Sequence, residues 1–235
     1  MPGDTVLGAP GTYQGKIFDV GSITLLGKNP VTTILRGYVA LRSSGVTVKG
    51  FTIRDSDNNG LEVHDTVSAV ISHNSITQNK GAGILHGWTA PSTSIIKNNA
   101  IVSNVGDGIA VELAGSKVTV VNNIIAFNAV GLRQLSVGLI THNYNDLYGN
   151  RSGNYSGGLL SQGPGEVLVN PAFVDTSKKD YRLTVGSLCI DAGDPDLDGD
   201  GITWKNDAAD RDPDGTRLEM GALYCYQRNM FPSAP

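Results

Sequence analysis

The residues with the clearest chemical pattern are aspartates near the C-terminus. Asp196, Asp198 and Asp200 alternate with other residues, a glycine follows, and Asp207 stands twelfth when Asp196 is counted first. This is the ligand spacing of an EF-hand-like calcium loop, in which Ile202 would offer its carbonyl oxygen at the seventh position. The spacing therefore predicts a structural Ca²⁺ site, without the flanking helices of an EF-hand.

A second triplet, Asp210, Asp212 and Asp214, is a candidate second site. It lacks a carboxylate at its twelfth position, and Glu219 could take that place. Clustered carboxylates repel one another unless a cation or several arginines neutralise them. The alternative for both triplets is a set of solvated aspartates, some of which pair with nearby arginines.

The charge of the chain is unevenly distributed. Between Asp191 and Glu219, ten acidic residues stand against three basic ones, a local charge of −7 in a chain of net charge −4. This balance favours cations as partners of the segment and argues against a nucleic-acid partner. Since the chain contains no apolar run of about 18 residues, no membrane span is expected.

A repeated unit must position any functional side chain in the region 46–138. Isoleucine and glycine recur in it at intervals of 23 to 25 residues: Ile53, Ile76, Ile101 and Ile125, and Gly60, Gly83, Gly108 and Gly131. Such a period is typical of a solenoid, whose units bury their apolar faces by stacking. The local alternation of apolar and polar residues has period 2, which indicates strands. The pattern predicts an all-β parallel β-helix.

Asparagine recurs at two places in each unit. The first column is Asn79, Asn104 and Asn128, with Ser56 in the first copy, and the second is Asn74, Asn99, Asn123 and Asn143, with Phe51 in the first copy. Stacked coils place equivalent residues above one another, so each column predicts a ladder of side-chain amides. The role expected for these asparagines is structural.

The strand after each repeated glycine presents polar side chains that could act on a ligand. The catalytic candidates are Glu62, His64, Glu112 and Arg133, and the substrate-binding candidates are Trp88 and Asp107. A lyase needs a base and a cation, for which His64 or Arg133 with Ca²⁺ would serve. A hydrolase needs paired carboxylates, but the strand spacing sets Glu62 and Glu112 about 11 to 12 Å apart. A lyase is therefore favoured over a hydrolase, and ordinary surface charges remain the alternative.

Both ends of the chain carry family motifs. The opening GDTVLGAPGTY, followed by ITLLG and TIL, resembles the first coils of pectate-lyase-like right-handed parallel β-helix proteins. The later NPAFVD, DYRL, GSLCIDAGDP and EMGA resemble the closing segment of a bacterial group of secreted β-helix repeat proteins. This chain departs from the group pattern at Leu188, Glu219 and Leu223-Tyr224. The resemblance implies an extracellular protein whose strand face holds polysaccharide.

The resemblance also bears on the N-terminal end. The family usually has an amphipathic helix before these motifs, so an open first coil is expected here, which could pair with another chain. Residues 1–150 are predicted to form the coils, and residues 151–235 a closing coil and an irregular acidic cap packed with them as one domain. Two cysteines allow at most one intrachain disulfide.

Two functions follow from these observations. The first is an extracellular carbohydrate-binding or polysaccharide-processing, lyase-like β-helix with a structural calcium loop. The alternative is a non-catalytic structural or adhesive β-helix module of a surface or secreted protein. The residues leave open whether the chain is an enzyme.

Overall fold

The computed structural model describes residues 3–18, 21–64, 66–87, 90, 92–112, 114–135 and 139–225. Within these ranges the chain forms twenty-one strands, numbered β1 to β21 along the sequence, and one short 3-10 helix. No helix in this part of the chain is both long and apolar enough to cross a membrane. Most of the strands stack as the parallel coils that the repeat predicts.

The coils present three faces. The first is a parallel sheet in the order β1 (Thr5–Gly8), β3 (Thr24–Gly27), β5 (Val46–Lys49), β8 (Ser68–Ser72), β11 (Thr93–Lys97), β14 (Lys117–Val121) and β17 (Leu139–Asn143). The second contains β6 (Thr52–Arg54), β9 (Ser75–Thr77), β12 (Ala100–Val102), β15 (Ile124–Ala126) and β18 (Asp146–Tyr148). The third contains β7 (Leu61–Val63), β10 (Ile84–His86), β13 (Ile109–Val111), β16 (Leu132–Gln134) and β19 (Tyr155–Ser156).

One long strand joins the second and third faces. Strand β4 (Thr33–Leu41) pairs with β6 along its first part and with β7 along its last part. Its other edge pairs with β2 (Gly11–Phe18). In the later coils a turn separates the two faces, so this coil differs from those that follow it.

The apolar core runs along the axis of the stacked coils. The register pairs Ile53 with Ile76, Ile76 with Ile101 and Ile101 with Ile125, and all four are fully buried. The predicted isoleucine column is therefore confirmed. Adding a Cβ at Gly83 would place it 2.5 Å from Cγ2 of Ile101, which explains why glycine recurs beside this column.

The two asparagine columns form hydrogen-bonded ladders. In the first, each Oδ1 accepts the backbone N–H and the Nδ2–H of the asparagine one coil earlier, and Asn150 extends the ladder beyond Asn128. In the second, Asn123 donates to Asn145. The prediction that Asn143 is the fourth member is wrong. Asn143 pairs with Val121 at the end of β17, because the last coil is shorter than its predecessors.

Left-handed backbone precedes every member of both ladders. The residues just before the asparagines have φ between 50° and 62°, and they include Gln78, Ser103, Phe127, His73 and Tyr144. The left-handed turn marks the corner of each coil, and the following asparagine side chain points into the ladder. The asparagines are therefore structural residues of the coil corners.

The C-terminal segment lies along the outer side of the second face. It includes an antiparallel pair, β20 (Phe173–Asp175) and β21 (Asp180–Leu183), joined by the 3-10 helix Thr176–Lys178. Outward residues of β12 and β15 are apolar and pack against it: Ala100 and Val102 with Tyr181 and Ala222, and Ile124 and Ala126 with Leu183 and Met220. Hydrogen bonds between Thr77 and Tyr181 and between His73 and Tyr224 extend this contact toward earlier coils.

The sequence predicted a cap packed with the coils, and the structure places the segment along the second face. The outer side of the second face would expose a continuous apolar strip if the segment were absent, and burying that strip is the physical reason for the lateral position. The end of the ladder is instead filled by Glu166, whose Oε1 accepts from Asn145 and faces His142, and whose Oε2 accepts from Tyr155. Cys189 and Cys225 are buried free thiols.

Candidate functional site

A groove of about 630 Å³ lies on the N-terminal coils. Strands β2 and β4 line it on one side, and the loop 55–58 with Glu62 and His64 lines it on the other. It forms because β4 runs straight across a corner at which the next coil inserts a loop between β6 and β7.

Glycine permits the close pairing of β2 and β4 beneath this groove. Gly37 has φ of 150°, and a Cβ there would lie 1.6 Å from the carbonyl oxygen of Gly15. No other residue fits without separating the strands. The pair therefore holds the side chains on either side of it, including Lys16 and Tyr38, in a fixed register.

Glu62 and His64 form a pair at the edge of the groove. Nε2 of His64 lies 3.3 Å from Oε2 of Glu62, and the two side chains are 22% and 8% exposed. Oε1 of Glu62 accepts from Nδ2 of Asn59 at 3.0 Å and faces Nδ2 of Asn58 at 3.4 Å. The carboxylate is held by its neighbours and can orient the imidazole, which is the arrangement that a general base requires.

Cationic and aromatic side chains occupy the other side of the groove. Nζ of Lys16 lies 5.2 Å from the centre of the Tyr38 ring, and the guanidinium of Arg42 lies 4.6 Å from that of Phe18. The Phe18 and Tyr38 rings are in edge contact, with centroids 5.6 Å apart. Arg36 adds a third cation, although its Nε is paired with Asp55 at 2.9 Å. The site thus combines positive charge with an aromatic ring, Tyr38, that lines the groove, and a second ring, Phe18, beside it.

A second charged pair lies further along the third face. Arg133 donates through Nη2 to Oδ1 of Asp107 at 2.9 Å, and its Nε lies 2.8 Å from Oδ2. Three strand steps, of about 4.8 Å each, separate Arg133 from Glu62 in the column through Leu85 and Ala110. The structure therefore brings together Glu62 with His64 and Asp107 with Arg133, and keeps these pairs roughly 14 Å apart.

The remaining candidates on this face are dispersed. Glu112 is exposed, and its backbone N–H donates to the carbonyl of His86. Trp88 lies outside the described residues. His86 is fully buried beside Ser92 and Ser94, and burial lowers its pKa to about 4, so it is neutral near pH 7.

The acidic segment contains overlapping carboxylate groups. Ligand oxygens of Asp198, Asp200 and Asp207 lie within 4.8 Å of one another, as do those of Asp196, Asp198 and Asp210. Asp210 is fully buried, and its Oδ2 has no hydrogen-bond partner in the described part of the chain. Oxygen-only groups of this kind fit a hard cation such as Ca²⁺. The backbone N–H of Ile202, two residues after Asp200, donates to Oδ1 of that aspartate.

The second triplet is divided between two groups. Asp210 joins the first-loop aspartates, whereas Asp212 lies within 4.8 Å of Asp191 and Glu219. Asp214 accepts from the backbone and hydroxyl of Thr216. The sequence pattern predicted one loop for these three aspartates. The chain turns between them, so neighbouring carboxylates lie in different groups.

Sequence reasoning missed the cationic side of the groove. Lys16, Arg36, Tyr38 and Arg42 belong to coils without the repeated glycine, so the repeat pattern did not include them. The available signal was the pattern in β4, in which Leu35 and Val39 are buried and the residues between them, Arg36, Gly37 and Tyr38, are exposed or partly exposed.

Comparison with known proteins agrees with this architecture. A family model described as a right handed beta helix region matches residues 35–125. The fold is a right-handed parallel β-helix. A solved structure similar to this β-helix is the pectate lyase Pel9A, with a TM-score of 0.48 and 12% identity over 95% of this chain and 88% of that chain. No curated protein matches the β-helix sequence. The family match concerns the fold and carries no activity with it.

Proposed function

We propose that this β-helix is an extracellular protein that binds and processes an acidic polysaccharide in the groove of its N-terminal coils. The observation that carries the proposal is the composition of the groove, where Lys16, Arg36, Arg42 and the Tyr38 ring lie opposite the Glu62–His64 pair. The Phe18 ring lies beside the groove in edge contact with Tyr38. A polyuronide presents carboxylates for the cations and flat apolar sugar faces for the rings.

The Glu62–His64 pair supports a lyase reaction. His64 takes the proton on the carbon next to the uronate carboxylate, and Glu62 stabilises the imidazolium that forms. The electrons of the broken C–H bond form a carbon–carbon double bond, and the glycosidic oxygen departs and gains a proton. The cations of the groove offset the negative charge that develops on the carboxylate. A hydrolase is less suited, because Glu62 and Glu112 lie on coils two steps apart.

The acidic segment supports a structural calcium site as part of the same proposal. Asp198 is common to both carboxylate groups of the first loop, and buried Asp210 contributes an oxygen that no donor satisfies in the described chain. A bound Ca²⁺ would neutralise this charge and hold the segment against the coils. Calcium modules of modest affinity are typical of extracellular proteins.

The test is to incubate the protein with a panel of polyuronides and neutral glycans. Binding is measured by titration calorimetry, and elimination by the ultraviolet absorbance of the unsaturated product. Tyr38→Ala and Lys16→Ala should weaken binding by roughly tenfold each, since a desolvated cation–π or ring contact contributes about 1 to 2 kcal/mol. His64→Ala should abolish product while retaining binding.

Arg182→Ala is the matched control, because Arg182 is exposed and pairs with Asp180 outside the groove. The proposal fails if no acidic glycan binds, or if Tyr38→Ala and Lys16→Ala bind as well as Arg182→Ala does. If the wild-type protein binds acidic glycan but forms no unsaturated product, as is expected of His64→Ala, the carbohydrate-binding function is retained and the lyase reaction is rejected.

One observation favours the structural or adhesive alternative. At the N-terminal end of the coils, β1 is an edge strand with Val6 and Leu7 51% and 73% exposed. Edge strands with exposed apolar residues can pair with another chain. Concentration-dependent association in analytical ultracentrifugation, abolished by Leu7→Lys, would support this function.

A further inference from the structure

A third carboxylate group lies at the base of the acidic segment. Asp191, Asp212 and Glu219 each place a carboxylate oxygen within 4.8 Å of the others. Asp212 is 6% exposed and Glu219 is 2% exposed, so the group is largely withdrawn from water. It shares no member with the first predicted loop, but it takes Asp212 and Glu219 from the predicted second site and replaces Asp210 and Asp214 with Asp191. Nothing in the groove chemistry uses it.

The surroundings of Glu219 leave part of its carboxylate unsatisfied. Its Oε1 accepts from the backbone N–H of Cys225 at 3.2 Å. Its Oε2 is buried without a hydrogen-bond partner in the described residues. No lysine, arginine or histidine of the described chain forms an ion pair with Asp212 or Glu219.

Buried carboxylates at this separation require neutralisation. Their mutual repulsion and their desolvation are both unfavourable, and either a shared proton or a bound cation removes the repulsion. The ligand atoms that converge here are all carboxylate oxygens, which suit a hard divalent ion and not a soft one. A cation bound among the three carboxylates would occupy the buried Oε2 of Glu219. A proton held on that oxygen and shared with Asp212 is the alternative, and the experiment below distinguishes the two.

We propose that Asp191, Asp212 and Glu219 bind a divalent cation, with Ca²⁺ as the fitting ion. Asp191 and Glu219 are the first and last residues of the acidic segment, so one ion would bridge its two ends. The same region is anchored to the coils, because Nδ2 of Asn98 donates to the carbonyl of Glu219 and the N–H of Gly221 donates to that of Asn122. The ion would act as a crosslink that closes the acidic segment against the β-helix.

The experiment uses the full chain after chelation, titrated with CaCl₂ by calorimetry and melted in chelator and in calcium. Glu219→Gln keeps the size of the side chain and removes its charge, and it should bind one ion fewer per chain than wild type. Its melting temperature should be equal to or above that of wild type in chelator, and below it in calcium. Asp212→Asn should behave alike, and it carries the test if Glu219→Gln does not fold.

Asp198→Asn is the control, because it removes the aspartate shared by both first-loop groups. It should retain the ion that Glu219→Gln loses, which separates the buried site from the loop. Equal ion numbers and equal calcium-dependent melting shifts in wild type, Glu219→Gln and Asp212→Asn would overturn the proposal and leave a carboxyl pair that shares a proton. Complete loss of binding in Asp198→Asn alone would also overturn it.

Discussion

Removing one asparagine side chain from the middle of a ladder should destabilise the β-helix by more than the small size of that side chain suggests. Oδ1 of Asn104 accepts from the backbone N and the Nδ2 of Asn79 at 3.1 and 2.9 Å. Its Nδ2 donates to the carbonyl of Ile76 and to Oδ1 of Asn128, both at 3.0 Å. Asn104 is fully buried, so water cannot replace these partners.

The expected cost of Asn104→Ala follows from these bonds. The substitution leaves the buried N–H of Asn79 and the buried carbonyl of Ile76 without these partners, at about 1 to 3 kcal/mol for each group. The sum is about 4 kcal/mol, which should lower the melting temperature by about 8 to 16 °C for a chain of this size. Urea unfolding followed by circular dichroism measures the change in free energy directly.

Two further variants make the reasoning refutable. Ser56 occupies the first step of the same ladder, and among the described residues its Oγ accepts only from the N–H of Asn58, at 3.2 Å. Ser56→Ala should therefore cost about 1 kcal/mol or less. Asn104→Asp keeps the acceptor but places a carboxylate oxygen next to the carbonyl oxygen of Ile76 and Oδ1 of Asn128. The stability of this variant should therefore rise as the pH falls, because the protonated carboxyl becomes a donor. If Asn104→Ala is no more harmful than Ser56→Ala, the ladder contributes little and the argument is wrong.

Two other substitutions test the pH dependence and the lateral contact. Burial raises the pKa of Asp146 from 3.8 to about 7; the folded state therefore holds the proton more tightly than the unfolded state, and stability falls as the pH rises from about 4 to 7. Asp146→Asn should remove this fall and raise the free energy of unfolding at pH 8 by at most about 4 kcal/mol. Urea unfolding of both proteins at about pH 4 and at pH 8 measures this change, and an unchanged pH profile in the variant would contradict the prediction. Ala126→Asp places a charge where Leu183 and Met220 pack, so limited proteolysis should cut residues 170–225 first while the coils resist; uniform cleavage of both parts would show that the segment is not an independent layer.

The repeat itself could be predicted because each coil meets a near copy of itself. Ile76 contacts residues of its own column in the neighbouring coils, and Asn79 bonds to Asn104, so the period in the sequence is the period of the contacts. The exception is Asn143, which the pattern aligned with Asn123. The last coil is shorter than the others, and the ladder therefore continues through Asn145.

The candidate site was predicted less completely. Glu62 and His64 could be chosen from their column, and the structure places them together. Arg133 could also be chosen, but its guanidinium is held by Asp107 and lies about three strand steps from Glu62. The cationic side of the groove could not be predicted from the repeat, because β2 and β4 precede the coils in which the period is regular.

What the sequence determined by itself is the part of the molecule in which equivalent residues stack: the coil period, the isoleucine column and most of both ladders. Tertiary structure alone decided where the C-terminal segment lies. Tyr181 bonds to Thr77, and Asp212 meets Asp191 and Glu219, across separations that follow no repeat. The apolar outer side of β12 and β15 must be covered, and only the folded coils create that surface. The sequence of the C-terminal segment alone therefore could not predict where the segment lies.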